Sequence, residues 1–108
     1  MSPTQISNAA TAYLAQMRQA SRGKIFCATI SPGYDDSKSK RDKHYRIDRF
    51  GIQTMTALGQ AALRRHPDWV MVSTFNEWHE GTEIGPSKGF GFRYIDAKRA
   101  FAARFLKS

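Results

Sequence analysis

The sequence is almost without cysteine, Cys27 being the only one. A lone cysteine excludes an internal disulfide framework and any metal site built from several thiolates. Set among apolar neighbours, Cys27 is expected to be a buried, unreactive thiol. Long apolar runs are also missing, and nothing approaches the roughly 20 residues that span a bilayer as a helix. No membrane partner is therefore expected. The opening residues, Met1 to Asn8, are polar and lack the charged-then-apolar layout of a signal peptide. Nothing in the sequence assigns a compartment. Glutamate is scarce too. The chain holds Glu77, Glu80 and Glu83 and no others, all within seven residues.

What is present is the composition of a globular chain. Of 108 residues, 41% are hydrophobic, 12% aromatic and 24% charged, which excludes disordered, collagen-like and disulfide-rich classes. The length suits one small domain, or part of a larger one. Lys and Arg outnumber Asp and Glu by 17 to 9, a formal net charge of +8. Such an excess raises the question of a polyanionic partner. The cations crowd into one stretch, with Lys38, Lys40, Arg41, Lys43, Arg46 and Arg49 in twelve residues. Asp42 and Asp48 lie among them and Asp35 and Asp36 just before, so the local excess is modest. A solvated charged loop, a phosphate-binding loop and a loop lining a substrate cleft all fit. No zinc-finger, helix-turn-helix or RNA-recognition pattern is present, and no nucleic-acid partner is expected.

Hydrophobic periodicity gives the elements. Ser2-Pro3 reads as an N-cap with proline at the first helical position. Ile6, Ala10, Tyr13 and Met17 follow at helical spacing, and Gly23 marks a stop. Lys24–Ile30 is a short apolar run that reads as a strand buried on both faces. Ser31-Pro32-Gly33 ends it, and residues 31–49 form a long basic loop. A second helix is expected over Phe50–Arg65, with Ile52, Met55, Ala62 and Leu63 inward and Gly51 and Gly59 weakening it. Trp69–Phe75 reads as a second buried strand, residues 76–92 as a glycine-rich loop, and Arg93–Lys107 as a last helix with Tyr94, Ala97, Phe101 and Phe105 on one stripe.

The order is helix, strand, helix, strand, helix. Alternation of this kind implies an α/β fold with a parallel sheet and right-handed crossovers. Both long loops follow strands, so both leave the C-terminal edge of that sheet, where active sites of α/β folds sit. The loops are therefore expected to be neighbours. Two strands make a poor sheet, so the chain reads as incomplete: a piece of a larger protein, or a protomer that completes its sheet by self-association.

The chemistry concentrates at Phe75-Asn76-Glu77-Trp78-His79-Glu80-Gly81-Thr82-Glu83-Ile84. Glu77 and Glu80 are three apart, which in a helical turn puts both carboxylates on one side. Paired carboxylates are the usual equipment of glycoside hydrolysis, and close like charges separate an acid from a base. Trp78 offers an aromatic face for a sugar, and Asn76 a hydrogen-bonding amide. Each has a plainer reading as well: solvated glutamates, a packing tryptophan, a surface histidine. His79, Glu80 and Glu83 can be drawn around a metal, but no HExxH pattern exists, and no metal is expected.

The segment 75–84 resembles the signature of glycoside hydrolase family 99, the endo-α-mannosidase and endo-α-mannanase family, and its relatives in polysaccharide biosynthesis clusters. Ser31-Pro32-Gly33-Tyr34-Asp35-Asp36 is similar to the family's second loop motif, and Pro67-Asp68-Trp69 to its lead-in to the following strand. The resemblance is close over residues 24–86. The sequence differs from the family's usual pattern at Glu83, at Gly85 and in the lysine-rich loop after Asp36. The resemblance implies a (β/α)8 barrel, of which residues 1–108 are the C-terminal part of a single domain. It also implies retaining cleavage of internal α-mannosidic bonds in an oligosaccharide or polysaccharide, through a 1,2-anhydro sugar and with no cofactor. Glu77 matches the base at the sugar 2-hydroxyl, and Glu80 the general acid/base at the leaving oxygen. Tyr34, Asn76, Trp78 and His79 match substrate-binding or supporting positions. Two rivals remain at this stage: a non-catalytic carbohydrate-binding module using the same cleft, and a basic polyanion binder using residues 38–49.

Overall fold

The computed structural model describes residues 1–107. The first helix, α1, runs Pro3–Ala20. Its start follows from the sequence. The Ser2 hydroxyl accepts from Gln5 N–H at 3.2 Å, and Gln5 Oε1 accepts from Ser2 N–H at 2.7 Å, a reciprocal capping box. The buried stripe is Ile6, Ala10 and Leu14. Tyr13 and Met17, expected inward, are exposed. The 3.6-residue period explains the difference, since steps of four keep Leu14 under Ala10 while a step of three swings Tyr13 to the flank.

The strand β1, Cys27–Ile30, pairs in parallel with β4, Trp69–Val72. Between them lie β2 (Tyr34–Asp35), β3 (Arg46–Ile47) and the helix α2 (Gln53–Arg64). The helix α3, Arg93–Lys107, closes the chain. The 31–49 loop is thus not structureless. It holds a small antiparallel ribbon in which Tyr34 faces Ile47 and Asp35 faces Arg46. The helix α2 begins at Gln53, leaving Ile52 exposed at its N-cap. Gly59, which intrinsic propensity marks as a weak point, is where α2 meets α3: a Cβ there would stand 2.8 Å from the Phe101 ring.

The core lies on one face of the β1–β4 pair. Phe26, Ala28 and Ile30 of that face pack with Leu14, Met55, Ala62, Ile84, Tyr94 and Phe101, and Val70 and Val72 join them. The expectation of strands buried on both faces is corrected here. Register sets Cys27 opposite Trp69 and Thr29 opposite Met71. These four form the second face, and it is open: Trp69 is 61% and Met71 63% exposed. Cys27 is accordingly half-buried, not sealed in a core. Period-2 alternation assigns the faces, but only a second layer of protein covers both. The described residues form a partial α/β unit. Among them, no helix is long and apolar enough to cross a membrane.

Candidate active site at the C-terminal edge of the parallel strands

Past β4 the chain makes a closed loop. Thr74 N–H donates to Thr82 O at 2.9 Å, Ile84 N–H to Thr74 O at 2.9 Å and Gly85 N–H to Phe75 O at 2.9 Å. The two threonine hydroxyls meet at 2.8 Å. Thr82 and Ile84 are buried, so the return limb is anchored in the core while residues 76–79 at the tip are exposed. Within the tip, Glu80 N–H donates to Glu77 O and Gly81 N–H to Trp78 O, each at 3.3 Å. These successive three-residue steps are one helical turn, with Glu77 and Glu80 at its two ends. Glu77 N–H is fixed by the Thr74 hydroxyl at 3.1 Å.

The loop after β1 abuts this turn, as the parallel topology predicts. Asp35 N–H donates to Glu80 O at 2.8 Å. At the junction Gly81 has φ +61°, and a Cβ there would stand 2.7 Å from Asp35 O. Only glycine meets both conditions.

A buried carboxylate that the sequence did not single out ties the two loops together. Asp36 is wholly buried. Its Oδ1 accepts from Tyr45 N–H at 2.7 Å, and its Oδ2 from the Tyr34 hydroxyl at 3.3 Å and from Arg41 at 3.2 Å. The Tyr45 N–H bond foremost, then those from Tyr34 and Arg41, hold its carboxyl below the ordinary aspartate value against the opposing effect of burial. Arg41 in turn donates to the Tyr34 hydroxyl at 2.8 Å and, through Nη2, to Glu80 Oε1 at 3.2 Å. Its guanidinium is held as a cation more firmly than usual, chiefly by the Glu80 bond. Asp36, Tyr34, Arg41 and Glu80 therefore form one chain of contacts from the buried side of the first loop to the tip of the second.

Glu83 has a different place from its two neighbours. It is buried and bound to Arg49, which also donates to Gly81 O at 3.1 Å. The Arg49 guanidinium carbon lies 4.4 Å from the centre of the Phe90 ring and 4.5 Å from that of Tyr94. Its Nη1 is buried without a hydrogen-bond partner among the described residues, and the ring faces compensate it. Glu83 is thus a structural anchor for the glutamate-bearing loop.

Of the site residues expected from sequence, the structure brings Tyr34 and Glu80 together through Arg41 and puts Glu77 one turn away. Trp78 is 53% exposed and shares a groove wall with Lys38 and Phe90. Asn76 is exposed and its carbonyl accepts from Trp78 N–H at 3.0 Å. His79 is exposed, and among the described residues its ring makes no hydrogen bond or ion pair with either glutamate. Arg41, Asp36 and Arg49 are the residues sequence reading missed. A carboxylate inside a motif and next to a run of cations was the available signal for Asp36. Among the described residues no cluster of three or more His, Cys, Asp or Glu side chains converges as a metal would need.

The sequence profile of Glycosyl hydrolase family 99 matches residues 4–107. The glycoprotein endo-alpha-1,2-mannosidase-like protein of Danio rerio is 33% identical over 78 residues, 68% of this chain and 18% of its own length. The glycoprotein endo-alpha-1,2-mannosidase of Mus musculus is 34% identical over 64 residues, 56% of this chain and 13% of its own. The solved GH99 endo-alpha-mannosidase from Bacteroides thetaiotaomicron superposes with a TM-score of 0.73 at 23% identity, over 90% of this chain and 34% of that one. That last likeness is one of fold. The chain spans less than a fifth of the length of these curated relatives, 18% and 13%. With nearly its whole length matched by the family profile, the chain belongs to glycoside hydrolase family 99.

Proposed function

We propose that this chain is the C-terminal, carboxylate-bearing part of a single (β/α)8-barrel domain that hydrolyses internal α-mannosidic bonds of an oligosaccharide or polysaccharide with retention. The single observation that carries the reading is the Glu77–Glu80 turn. It stands at the C-terminal end of a parallel strand, clamped to the loop that leaves the neighbouring strand. That edge is where barrel enzymes assemble their active sites.

The chemistry assigns each carboxylate a task. Glu77 takes the proton of the sugar 2-hydroxyl, and O2 attacks C1 as the bond to the leaving oxygen breaks. Glu80 gives that oxygen its proton. A 1,2-anhydro sugar results. Glu80, now a carboxylate, takes a proton from water as the water attacks C1. O2 leaves C1 and recovers its proton from Glu77. Two inversions at C1 give net retention, and the proton count closes without a metal or organic cofactor. Trp78 supplies the ring face under a sugar, and Asn76, Tyr34 and the exposed His79 supply polar contacts to it.

The test is Glu80→Gln in a polypeptide that includes the rest of the barrel. Turnover of an α-mannan substrate is expected to fall about 10³-fold or more, in the upper half of the usual 10²–10⁴ range for one lost acid–base group, because both steps use it. Circular dichroism is expected to stay unchanged. Unaltered turnover would remove Glu80 from the mechanism. Retained oligosaccharide binding with no release of reducing ends by the unsubstituted protein would favour the binding-module rival.

A further inference from the structure

The two glutamates of the turn are held differently. Glu80 Oε1 accepts from Arg41 Nη2 at 3.2 Å, whereas the Glu77 carboxylate has no hydrogen bond or ion pair among the described residues. The Arg41 guanidinium acts as a fork. Its Nη1 donates to the Tyr34 hydroxyl at 2.8 Å and to Asp36 Oδ2 at 3.2 Å, and its Nη2 to Glu80. The inner end of the fork is fixed. Asp36 is wholly buried and its other oxygen takes the Tyr45 N–H, while the Tyr34 hydroxyl donates its own proton to Asp36. The outer end is open, with the Arg41 side chain 54% and that of Glu80 35% exposed.

An ion pair this exposed adds little to stability. Without Arg41, Asp36 still keeps its bonds from Tyr45 N–H and the Tyr34 hydroxyl. What the fork supplies is direction. A guanidinium is planar, carries its donors in a fixed geometry and stays charged at every working pH. With one arm on Asp36 and Tyr34, the other arm has one way to point, and it fixes Glu80 Oε1. Because Oε1 accepts a hydrogen bond, the proton of a neutral Glu80 belongs on Oε2, which has no partner among the described residues. Glu80 enters both steps of the proposed reaction, first as acid and then as base, so its aim matters twice. A reacting group misplaced by about 1 Å loses about 10²-fold in rate.

We infer that Arg41 is a positioning residue for Glu80: its fork ties Oε1 to the buried Asp36 and the Tyr34 hydroxyl, and leaves Oε2 to give the proton to the leaving oxygen and later to take one from water. The inference rests on the acid/base reading of Glu80 and adds to it the group that aims the carboxyl. One arm of the test needs no hydrolysis. In side-chain nitrogen spectra of the 108-residue chain, Arg41 Nη1 and Nη2 are expected as separate signals, because hydrogen bonds on both arms slow rotation about the Nε–Cζ bond. In Glu80→Ala they are expected to merge. Merged signals in the unsubstituted chain overturn the inference. The other arm is steady-state kinetics of a polypeptide that includes the rest of the barrel. Arg41→Met is expected to lower kcat about 10- to 100-fold, up to the loss that a 1 Å misplacement brings, with KM within about twofold. Arg41→Lys restores the charge but has one nitrogen for two directions, so kcat is expected to stay low. Unchanged kcat in Arg41→Met overturns the inference. So does a raised KM at unchanged kcat, which would make Arg41 a sugar contact. Full recovery by lysine overturns it as well, in favour of charge alone. Melting curves of both variants are expected to overlay that of the parent. Where Arg41→Met melts early, the lysine variant and the Nη signals decide. Absence of hydrolysis by the unsubstituted protein, with separate Nη signals that merge in Glu80→Ala, would count against the enzymatic reading and not against the fork.

Discussion

Asp36 is a buried carboxylate one residue after the point where the two functional loops touch, and its environment makes a statement about pH. Its folded-state carboxyl titrates below the ordinary aspartate value, first because Tyr45 N–H donates to it. A group with a depressed folded pKa binds fewer protons folded than unfolded, so stability rises with pH through that interval. The contribution is fully present above the unfolded value of about 3.9 and is lost as pH falls through the folded one. Asp35 shifts the same way through its Ser37 bonds and adds to the slope. Thermal melts between about pH 2 and 5 are therefore expected to show the wild type losing more stability than Asp36→Asn, the two curves converging at the acid end. Parallel curves would mean that Asp36 is not the titrating anchor. This residue also marks where sequence reading stops at the residue scale. Glu77, Glu80, Trp78 and Tyr34 were legible because they lie inside short motifs whose chemistry is local. The Asp36–Arg41–Glu80 relay was not, because Arg41 reaches Glu80 across 39 positions and only the loop's path brings them together. The burial of Glu83 was hidden for the same reason. Its partner, Arg49, sits on the other loop, and from sequence Glu83 looked like a third member of an acidic turn.

At the scale of elements, helices and strands were legible from period and caps, and the loops only in part. The α1 start and the α3 span follow directly from Ser2-Pro3 and from the Tyr94, Ala97, Phe101, Phe105 stripe. The β2–β3 ribbon did not announce itself, since two-residue strands carry no alternation long enough to read. What decides whether this ribbon meets the glutamate turn is one glycine. Gly81→Ala places a Cβ 2.7 Å from Asp35 O, a backbone atom that has no rotamer to escape through. It also forces alanine to φ +61°. Gly23 at φ +77° supplies the control, because nothing lies within 4 Å of its Cβ position. Gly23→Ala is expected to cost about 1 kcal/mol from backbone strain alone. Gly81→Ala is expected to cost about 2–4 kcal/mol, the strain plus the clash. Denaturant melts check both. In the same variant the Asp35 N–H is expected to lose its hydrogen-exchange protection, which the Gly23 variant keeps. Equal costs at the two positions would mean that the loops are not in contact in solution.

At the scale of the whole molecule, the sheet has one covered face and one open one, and each of its two strands has a free edge. From sequence both strands read as apolar throughout and so as buried on both sides. The structure corrects that reading, because alternate residues of each strand, Cys27 and Thr29 with Trp69 and Met71, turn away from the core. Apolar strand faces of this kind have three fates: they are covered by more of the same domain, they meet another copy, or they cause aggregation. The first is what a barrel provides, and the (β/α)8 reading assigns Trp69 and Met71 to its interior. For the 108-residue chain by itself, the second and third follow by default. Sedimentation velocity across a concentration series is expected to show species larger than one chain, with association weakened on cooling as hydrophobic burial is. Trp69→Thr with Met71→Thr keeps β-propensity while removing most of the exposed apolar surface of that face, and is expected to shift the series towards the monomer. The same pair placed in a polypeptide that completes the barrel has the opposite consequence. There the two side chains are buried, and their loss is expected to destabilise the fold by about 3–5 kcal/mol or more, the range for large-to-small changes in a core. A pair that solubilises the short chain and cripples the long one would identify the open face as a core surface. A pair with no effect on association, or one neutral in the longer protein, would mean that the barrel reading has the sheet facing the wrong way.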